Sequence, residues 1–325
     1  MTVGHLAGIV AALMVTAGVI QATHAEPLRV RYVVWPGYGP LFFARDKGWF
    51  EKEGIEIDLI EMEEHTAAFA ALAAGQVDAV LGSPPDNPAF SKPGEEPLAC
   101  VLVTEESFGG DGVLATTDIN SIADLKGKSV AFLRGSLSQY YINVLLKEAG
   151  LTEADIEVVD LTAEDAVTAL QLQEVDAAVT WEPWLSQGKA VEHVHLLTDS
   201  TLQPGLLVGC LITTASVFQD RKTEFQALAR IWFEAVDYVE AHPEEAMPIM
   251  ARHLGGGLED PQAVAQFKTI RWFDRERHRA YFGTPENPGP MYQAAQNAID
   301  VFSDLGVLTF KLSPSDLVIH GILDE

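Results

Sequence analysis

A segment of this chain occurs almost twice. Residues 71–80 read ALAAGQVDAV and residues 169–178 read ALQLQEVDAA. In each copy the pattern predicts the end of an amphipathic helix, a polar turn and a short apolar strand that starts with Val-Asp-Ala. A proline-containing loop follows both strands, SPPD at residues 83–86 and WEPW at residues 181–184. Two copies about 100 residues apart indicate paired units of similar structure, since solenoid repeats have much shorter periods.

The order of elements around these segments is duplicated as well. The first copy has a strand at 28–34, a loop at 35–40, a helix at 41–53, Gly54 and a strand at 55–60. The second copy has a strand at 129–133, a loop at 134–138, a helix ending at Ala149, Gly150 and a strand at 156–159. Loops at the carboxyl ends of parallel strands line the ligand crevice of such folds. The loops of the two units are therefore expected to face each other and to hold a small molecule.

Two other segments share the pattern Gly-apolar-apolar-x-Thr-Thr, residues 111–117 and 208–214. They are predicted to be crossover strands that carry the chain from one lobe to the other and back. A pair of short connections can act as a hinge, because few residues absorb the backbone rotation. The predicted fold class is α/β, with two lobes that each contain a mostly parallel sheet and flanking helices.

The predicted domain boundaries follow from these crossovers. Residues 26–112 and 212–325 are expected to form the first lobe, and residues 113–211 the second lobe with the hinge strands at its two ends. The C-terminal third is mostly helical by its pattern, with helices predicted over 224–240 and 290–305. These helices are expected to pack onto the first lobe.

The N-terminus has the pattern of a secretory signal. Residues 1–25 contain no Asp, Glu, Lys or Arg, and the apolar run at residues 6–20 is followed by the small-x-small sequence Thr-His-Ala. The alternatives are a membrane anchor or a buried helix. The run is shorter than the roughly 20 residues of a membrane span, and the charged residue Glu26 follows at once. Cleavage after Ala25 and export are therefore predicted.

Composition excludes some classes of partner and leaves one question open. The formal net charge of −26 argues against a nucleic-acid partner. Cys100 and Cys210 are the only cysteines, too few for a metal cluster or a disulfide framework. They either pair with each other or are buried free thiols, and free thiols are the favoured alternative. No metal site and no cofactor are expected.

Ten residues near the predicted strand ends are candidates for contact with a small ligand: Trp35, Tyr38, Ser83, Asp86, Asp111, Gly135, Ser136, Ser138, Trp181 and Glu182. Trp35 and Tyr38 could form an aromatic wall, although Trp35 could equally be a core residue. Gly135, Ser136 and Ser138 open a helix, whose free amides and dipole favour an anion. A plain serine N-cap explains the same residues.

Three of the candidates are carboxylates, Asp86, Asp111 and Glu182. Together with Trp181 they suit an ammonium or guanidinium group, through charge pairing and cation–π contact. The alternatives are that Asp86 caps the following turn and that Asp111 bonds hinge amides. Because the helix N-terminus favours an anion and the carboxylates favour a cation, a small zwitterionic or cationic solute is predicted in preference to nitrate or sulfate.

Five segments in this order carry a resemblance to a known family: residues 35–44 with 47–50, 76–79, 109–112, 122–128 and 181–183. The chain resembles the periplasmic solute-binding proteins of nitrate/sulfonate/taurine ABC importers. This resemblance implies a type II periplasmic binding protein fold, a periplasmic location and two lobes that close on a solute. It also implies delivery of the solute to a membrane permease with its ATPase. An aliphatic sulfonate, taurine or nitrate is the alternative solute, and a monomer is expected.

The competing class is an enzyme of the same fold, such as the relatives that make the thiamine pyrimidine. That resemblance implies a cysteine-rich motif, which two separate cysteines do not supply. The sequence contains no Gly-x-Ser-x-Gly, His-Glu-x-x-His or phosphate-loop motif. His65 and His278 could face the cleft, but lone histidines are more often structural. A binding protein and not an enzyme is expected, and a sensor or scaffold protein that uses the same fold without a transporter is the third possibility.

Overall fold

Two mixed β-sheets organise the computed structural model, which describes residues 26–254 and 261–323 together with Met1. The predicted signal segment, apart from Met1, lies outside the described residues. The strands are β1 (Leu28–Tyr32), β2 (Ile57–Glu61), β3 (Ala79–Gly82), β4 (Ala99–Ser107), β5 (Asp111–Thr116), β6 (Ser129–Phe132), β7 (Glu157–Asp160), β8 (Ala177–Trp181), β9 (Val194–Asp199), β10 (Val208–Thr213) and β11 (Ile270–Trp272). One sheet has the order β11-β4-β10-β3-β1-β2 and the other β7-β6-β8-β5-β9. We call these sheets, with the helices that cover them, the first unit and the second unit.

Helices cover both sheets. They are α1 (Gly39–Asp46), α2 (Trp49–Lys52), α3 (His65–Ala73), α4 (Asp86–Phe90), α5 (Leu137–Glu148), α6 (Ala163–Gln171), α7 (Trp184–Lys189), α8 (Ala215–Asp220), α9 (Lys222–Ala241), α10 (Pro243–Leu254), α11 (Pro261–Gln266), α12 (Arg275–Phe282) and α13 (Pro290–Asp304). The helix predicted over 41–53 is two helices, because Gly48 takes a left-handed φ of +69° between α1 and α2. Among the described helices, none is both long enough and apolar enough to cross a membrane.

The duplicated segment has the same role in both sheets. β1 pairs in parallel with β2 and β3, and β6 pairs in parallel with β7 and β8. Asp78 Oδ2 accepts a hydrogen bond from the amide of Arg29 at 2.8 Å, and Asp176 Oδ2 accepts one from the amide of Ser129 at 2.8 Å. Each carboxylate thus ties the start of β3 or β8 to its neighbouring strand. The predicted duplication of structure is confirmed down to this contact.

The crossovers differ from the prediction. β5 belongs wholly to the second sheet, whereas β10 lies between β3 and β4 in the first sheet, antiparallel to both. The expected lobe boundary at residue 211 therefore falls inside β10. The chain crosses between the sheets in the short segments that join β4 to β5 and β9 to β10. The predicted Gly-apolar-apolar-x-Thr-Thr strands exist, but each is a full member of one sheet and runs antiparallel to both of its neighbours. The two sheets are therefore mixed, and not mostly parallel as predicted.

The C-terminal helix α13 contacts both units, not only the first as expected. Its buried residues Ala295, Ile299 and Phe302 lie in the same hydrophobic cluster as Tyr140 and Leu145 of α5. The spacing of these three residues, four and then three, places them on one face of the helix. The same helix packs against α12 and α4 of the first unit.

The two cysteines form a disulfide inside the first sheet. Cys100 on β4 and Cys210 on β10 are fully buried, and their Cα atoms are 5.8 Å apart. The preference for free thiols was wrong. Since the residues are separated by 110 positions in sequence, only the antiparallel pairing of β10 with β4 brings them together.

Candidate functional site

A cavity of about 50 Å³ lies where strand ends of both units meet. Its walls come from the carboxyl ends of β1, β3, β4, β6 and β8 and from the first residues of β5 and β10. The lining residues are Val33, Trp35, Tyr38, His65, Leu81, Gly82, Ser83, Asp86, Glu105, Ser107, Asp111, Ser136, Leu137, Trp181, Leu207, Val208 and Gly209. This is the position at which open α/β sheets bind ligands.

The structure brings seven of the ten predicted site residues to this cavity. They are Trp35, Tyr38, Ser83, Asp86, Asp111, Ser136 and Trp181. Gly135, Ser138 and Glu182 do not line it. The proline-containing loops of the two units therefore face each other as the duplication predicts, with Ser83 and Asp86 on one side and Trp181 on the other.

Glu182 is turned away from the cavity into the first turn of α7. Its carboxylate accepts hydrogen bonds from the amide of Ser186 at 3.0 Å and from Ser186 Oγ at 2.8 Å. Lys189 Nζ lies 3.5 Å from Glu182 Oε1. Because the turn after Trp181 starts a helix, the next side chain on the loop points toward that helix instead of the ligand crevice. The sequence could not show this change of direction.

The N-terminus of α5 is capped by its own side chains. The amide of Ser138 donates to Ser136 Oγ at 3.1 Å, and the amide of Gly135 donates to Gln139 Oε1 at 2.7 Å. A Cβ atom on Gly135 would lie 2.7 Å from the ring of Phe90, so this glycine is a contact between the units. The serine N-cap, which the sequence left open as an alternative, is what the structure contains.

Glu105 on β4 is the carboxylate of the cavity lining that the sequence did not single out. Its Oε1 accepts a hydrogen bond from Trp35 Nε1 at 2.9 Å, and its side chain is 2% exposed. Two glycines make room for it, since a Cβ atom on Gly209 would lie 1.9 Å from Oε1 and one on Gly37 would lie 2.7 Å from Cγ. The available signal was a carboxylate directly after residues 98–104, which are apolar except for Thr104, at a position where burial is costly without a partner.

Three buried carboxylate oxygens around the cavity lack a hydrogen-bond partner among the described residues: Asp86 Oδ1, Glu105 Oε2 and Asp111 Oδ2. All three side chains are buried. An unsatisfied buried acceptor costs about 1–3 kcal/mol, and more when it is charged. The lining residues given above include no lysine and no arginine. The described walls thus present acceptors to the cavity without a matching cation.

Asp86 is held from within its own loop. Its Oδ2 accepts hydrogen bonds from the amide of Ser83 at 2.7 Å and from Ser83 Oγ at 3.1 Å. It therefore bonds an upstream amide, whereas the alternative drawn from the sequence had it cap the following turn. His65 Nδ1 lies 3.6 Å from Asp86 Oδ1. Burial lowers the pKa of His65, as does the nearby charge of Arg31, so this imidazole is neutral at pH 7.

Burial raises the pKa of the other two carboxyl groups. Loss of solvent raises the pKa of Glu105 to about 7, against the favourable interactions of its ionised form with the side chains of Thr104 and Trp35, and the charge of Asp111 adds to the shift. Loss of solvent also raises the pKa of Asp111 to about 7, with a further contribution from the charge of Glu182. Both groups are therefore close to half protonated at neutral pH, and a nearby cation would favour their ionised forms.

Arg31 is the buried cation behind this part of the cavity. It is fully buried, and its Nε donates to the carbonyl oxygen of Met62 at 2.7 Å. Its charge interacts favourably with Asp86. Arg31 is not among the residues that line the cavity, so it offsets one carboxylate from behind and leaves Glu105 and Asp111 without a counter-charge among the described lining residues.

Contacts between the units close the cavity. Trp181 Nε1, on the second unit, donates to the carbonyl oxygen of Val34 on the first unit at 3.0 Å. On the crossover side, Ser107 Oγ and Ser200 Oγ are 2.9 Å apart. The lining residues are thus shared between two bodies that touch on both sides of the cavity.

The chain is similar in sequence to a known protein family and to several named proteins. Residues 35–246 match the model of the family described as NMT1/THI5 like. The chain is 24% identical over 239 residues to a protein named as an aliphatic sulfonates-binding protein in Bacillus subtilis, with 69% of each chain covered. It is 28% identical over 246 residues to a protein of the same name in Escherichia coli, with 74% and 75% covered. It is also 26% identical over 263 residues to the 4-amino-5-hydroxymethyl-2-methylpyrimidine phosphate synthase of Schizosaccharomyces pombe, with 76% of this chain and 70% of the synthase covered.

Solved structures share the fold. The periplasmic aliphatic sulphonate binding protein SsuA from Escherichia coli superposes with a TM-score of 0.71 at 23% identity, covering 90% of this chain and 97% of SsuA. SsuA from Xanthomonas axonopodis, bound to MOPS, has a TM-score of 0.72 at 20% identity, with 91% and 100% covered. The chain therefore has the fold of periplasmic binding proteins, as the resemblance implied.

Proposed function

Because the chain belongs to the NMT1/THI5-like family and has the fold of periplasmic binding proteins, we propose that it is the solute-binding component of an ABC importer. It captures a small organic solute between its two units and delivers it to a membrane permease that works with an ATPase. The observation that carries this proposal is the cavity between the facing strand ends, which takes its walls from both units. A solute held there favours the closed arrangement by its differential affinity for it.

The solute proposed for this cavity is cationic or zwitterionic. Asp86, Glu105 and Asp111 line the cavity with an unpaired buried oxygen each, counted among the described residues. Trp35 and Trp181 add aromatic faces to the same walls. Carboxylates and aromatic rings together attract a positive group by charge pairing and cation–π contact.

An aliphatic sulfonate is the second candidate, because relatives and fold neighbours carry that specificity in their names. The hydroxyl-bearing residues Ser83 and Ser136 line the cavity and favour an anion. Their hydroxyl protons are engaged, however, with Asp86 Oδ2 and with the carbonyl oxygen of Leu133. A sulfonate would also approach three carboxyl groups, and each of them that is ionised would repel it strongly where water is excluded.

Binding without catalysis is part of the proposal, although one similar protein is named as a synthase. A nucleophilic hydroxyl needs a base within hydrogen-bond reach. Ser136 Oγ instead donates to the carbonyl oxygen of Leu133 at 2.7 Å. His65, the lining imidazole, faces Asp86 at 3.6 Å. The polar groups of the cavity are thus arranged to contact a solute and not to activate one another.

A periplasmic location after cleavage of residues 1–25, and a monomeric state, complete the proposal. The fold shared with periplasmic binding proteins supports the location. The buried Cys100–Cys210 disulfide also fits an oxidising compartment, since disulfides are rare where thiols are kept reduced.

A thermal-shift panel tests the proposal. A solute that binds only the folded state raises the melting temperature, by an amount that grows with its concentration over Kd. Amines, guanidinium compounds, betaines, amino acids, alkanesulfonates and nitrate are compared at equal ionic strength. We expect cationic or zwitterionic compounds to raise the melting temperature. If no compound of any class does so, and small-angle scattering detects no contraction with any of them, the solute-binding function is wrong.

A further inference from the structure

The three unpaired carboxylate oxygens of the cavity require hydrogen-bond donors as well as positive charge. Two of them belong to carboxyl groups whose other oxygen is fixed by a hydrogen bond, Asp86 by Ser83 and Glu105 by Trp35. The remaining oxygens, Asp86 Oδ1 and Glu105 Oε2, are buried and have no partner among the described residues. Asp111 Oδ2 is the third such oxygen. A methyl group placed against them would leave them unsatisfied, whereas an N–H group would satisfy them.

The position of Glu105 is determined more strictly than that of the other two. Trp35 Nε1 donates to Glu105 Oε1. Gly37 and Gly209 leave room for the Glu105 side chain, and a larger residue at either position would occupy that space. Gly110 in turn leaves room for the ring of Trp35, since a Cβ atom there would lie 2.6 Å from Trp35 Cη2. This arrangement fixes the direction of Glu105 Oε2 before any solute arrives, which lowers the entropic cost of binding.

When the acids around the cavity are ionised, the described residues supply too little positive charge to balance them. Arg31 offsets Asp86 from behind the wall, and His65 is held neutral by burial. Glu182, whose charge raises the pKa of Asp111, is already engaged by Ser186 and Lys189. Glu105 and Asp111 therefore remain as the two acids for which the described surroundings supply no basic partner.

We propose that the cavity recognises a cationic head group that carries several N–H donors, of the primary ammonium, amidinium or guanidinium type, with Asp86, Glu105 and Asp111 as its acceptors. This inference rests on the proposed solute-binding function and narrows it. Glu105 is the residue that sets the charge and the donor requirement of the site. A quaternary ammonium group has the same charge and suits the aromatic rings, but it offers no N–H to the three oxygens.

The experiment compares four small probes with the purified full-length protein: methylguanidinium, ethylammonium, tetramethylammonium and ethanesulfonate. Thermal shift and titration calorimetry are measured for the wild type, for Glu105→Gln and for Glu106→Gln. Glu106 is the matched control because it is the next residue on β4 and its carboxylate faces away from the cavity, accepting from the amide of Gly205 and lying 3.8 Å from Arg271.

We expect methylguanidinium or ethylammonium to stabilise the wild type and Glu106→Gln, and tetramethylammonium to have little effect on either. Glu105→Gln should weaken binding of the active cation at least about tenfold, because it removes a charged acceptor. If Glu105→Gln does not fold, Asp111→Asn provides the same comparison and should also weaken binding at least about tenfold.

Other results overturn the inference in distinguishable ways. Equal binding of tetramethylammonium would show that the aromatic rings and not the carboxylates select the solute. Stabilisation by ethanesulfonate alone would overturn the cation specificity and leave the solute-binding function in place. Failure of the four probes, while another class in the wider panel binds, would also overturn the inference without touching the transport function. If no compound of any class binds, both the inference and the proposed solute-binding function are wrong.

Discussion

At the scale of single residues, the most informative position is Glu105. It is a carboxyl group inside a strand, fixed by an indole N–H and enclosed by glycines. Its partner Trp35 lies 70 positions away in sequence. Trp35 and the carboxylates on loops stand out from their neighbours in the local sequence pattern. Glu105 does not stand out in this way, because nothing near residue 105 shows that residues 35, 37 and 209 surround it.

The raised pKa of Glu105 predicts how the solute-free protein responds to pH. The folded-state pKa of about 7 lies above the ordinary value of 4.5, so the folded state holds this proton more tightly than the unfolded state. The contribution of this group to the free energy of unfolding is fully present at low pH. It is lost as the pH rises from about 4.5 to about 7. Glu105→Gln removes the dependence. Relative to wild type, the variant should therefore gain up to about 3 kcal/mol of unfolding free energy between pH 5 and pH 8.

Urea unfolding at pH 5 and pH 8, without solute, measures this gain. Glu106→Gln is the control, and its difference from wild type should change little between the two pH values. A Glu105→Gln variant whose difference from wild type is the same at both pH values would show that the carboxyl group does not titrate abnormally in the folded protein.

At the scale of elements, the duplication is the part of the fold that the sequence predicted best. The strand, loop, helix, glycine and strand recur in both units, and Asp78 and Asp176 make the same contact with a neighbouring strand. Turn positions correspond as well, since Gly75 and Gln173 both have left-handed φ angles, +67° and +60°. The sequence pattern did not assign β10 to the first sheet, because a central apolar strand has the same hydrophobic pattern in either sheet.

The two repeated aspartates should differ in their contribution to stability. Asp78 also accepts hydrogen bonds from the side chains of Arg29 and Arg221, and it is nearly buried. Asp176 is about one-third exposed and has Lys128 at 3.6 Å. Asp78→Ala leaves two arginines without their shared partner and should cost about 2–4 kcal/mol, given the partial exposure of Arg29. Asp176→Ala should cost about 1 kcal/mol.

Equilibrium urea unfolding of both variants checks this order. Asp78→Asn is a useful companion, since it keeps the shape of the side chain and removes the charge. An equal loss for Asp78→Ala and Asp176→Ala would indicate that only the shared backbone contact matters and that the arginine pairs contribute nothing measurable.

At the scale of the whole molecule, the contacts that join the units decide how easily the cavity opens. Trp181 donates across the cleft to the carbonyl oxygen of Val34. Trp181→Phe keeps an aromatic ring in the cavity wall and removes this one hydrogen bond. A lost hydrogen bond of about 1 kcal/mol lowers the closed fraction and should weaken solute affinity about fivefold.

Titration calorimetry with a solute from the thermal-shift panel measures the affinity, and small-angle scattering measures the contraction on binding. Trp184→Phe is the matched control, because Trp184 begins α7 three positions after Trp181 and does not line the cavity. Unchanged affinity for Trp181→Phe would show that the contact with Val34 forms without influencing closure.

The Cys100–Cys210 disulfide has a consequence for the integrity of the chain. All five strands of the second sheet lie between the two cysteines in sequence, which are 110 positions apart. The disulfide bond therefore closes a covalent ring that contains that sheet. A protease that cuts once within residues 101–209 would not separate the two pieces. Such a nicked molecule would migrate as one band on a non-reducing gel and fall into two fragments only when the bond is reduced.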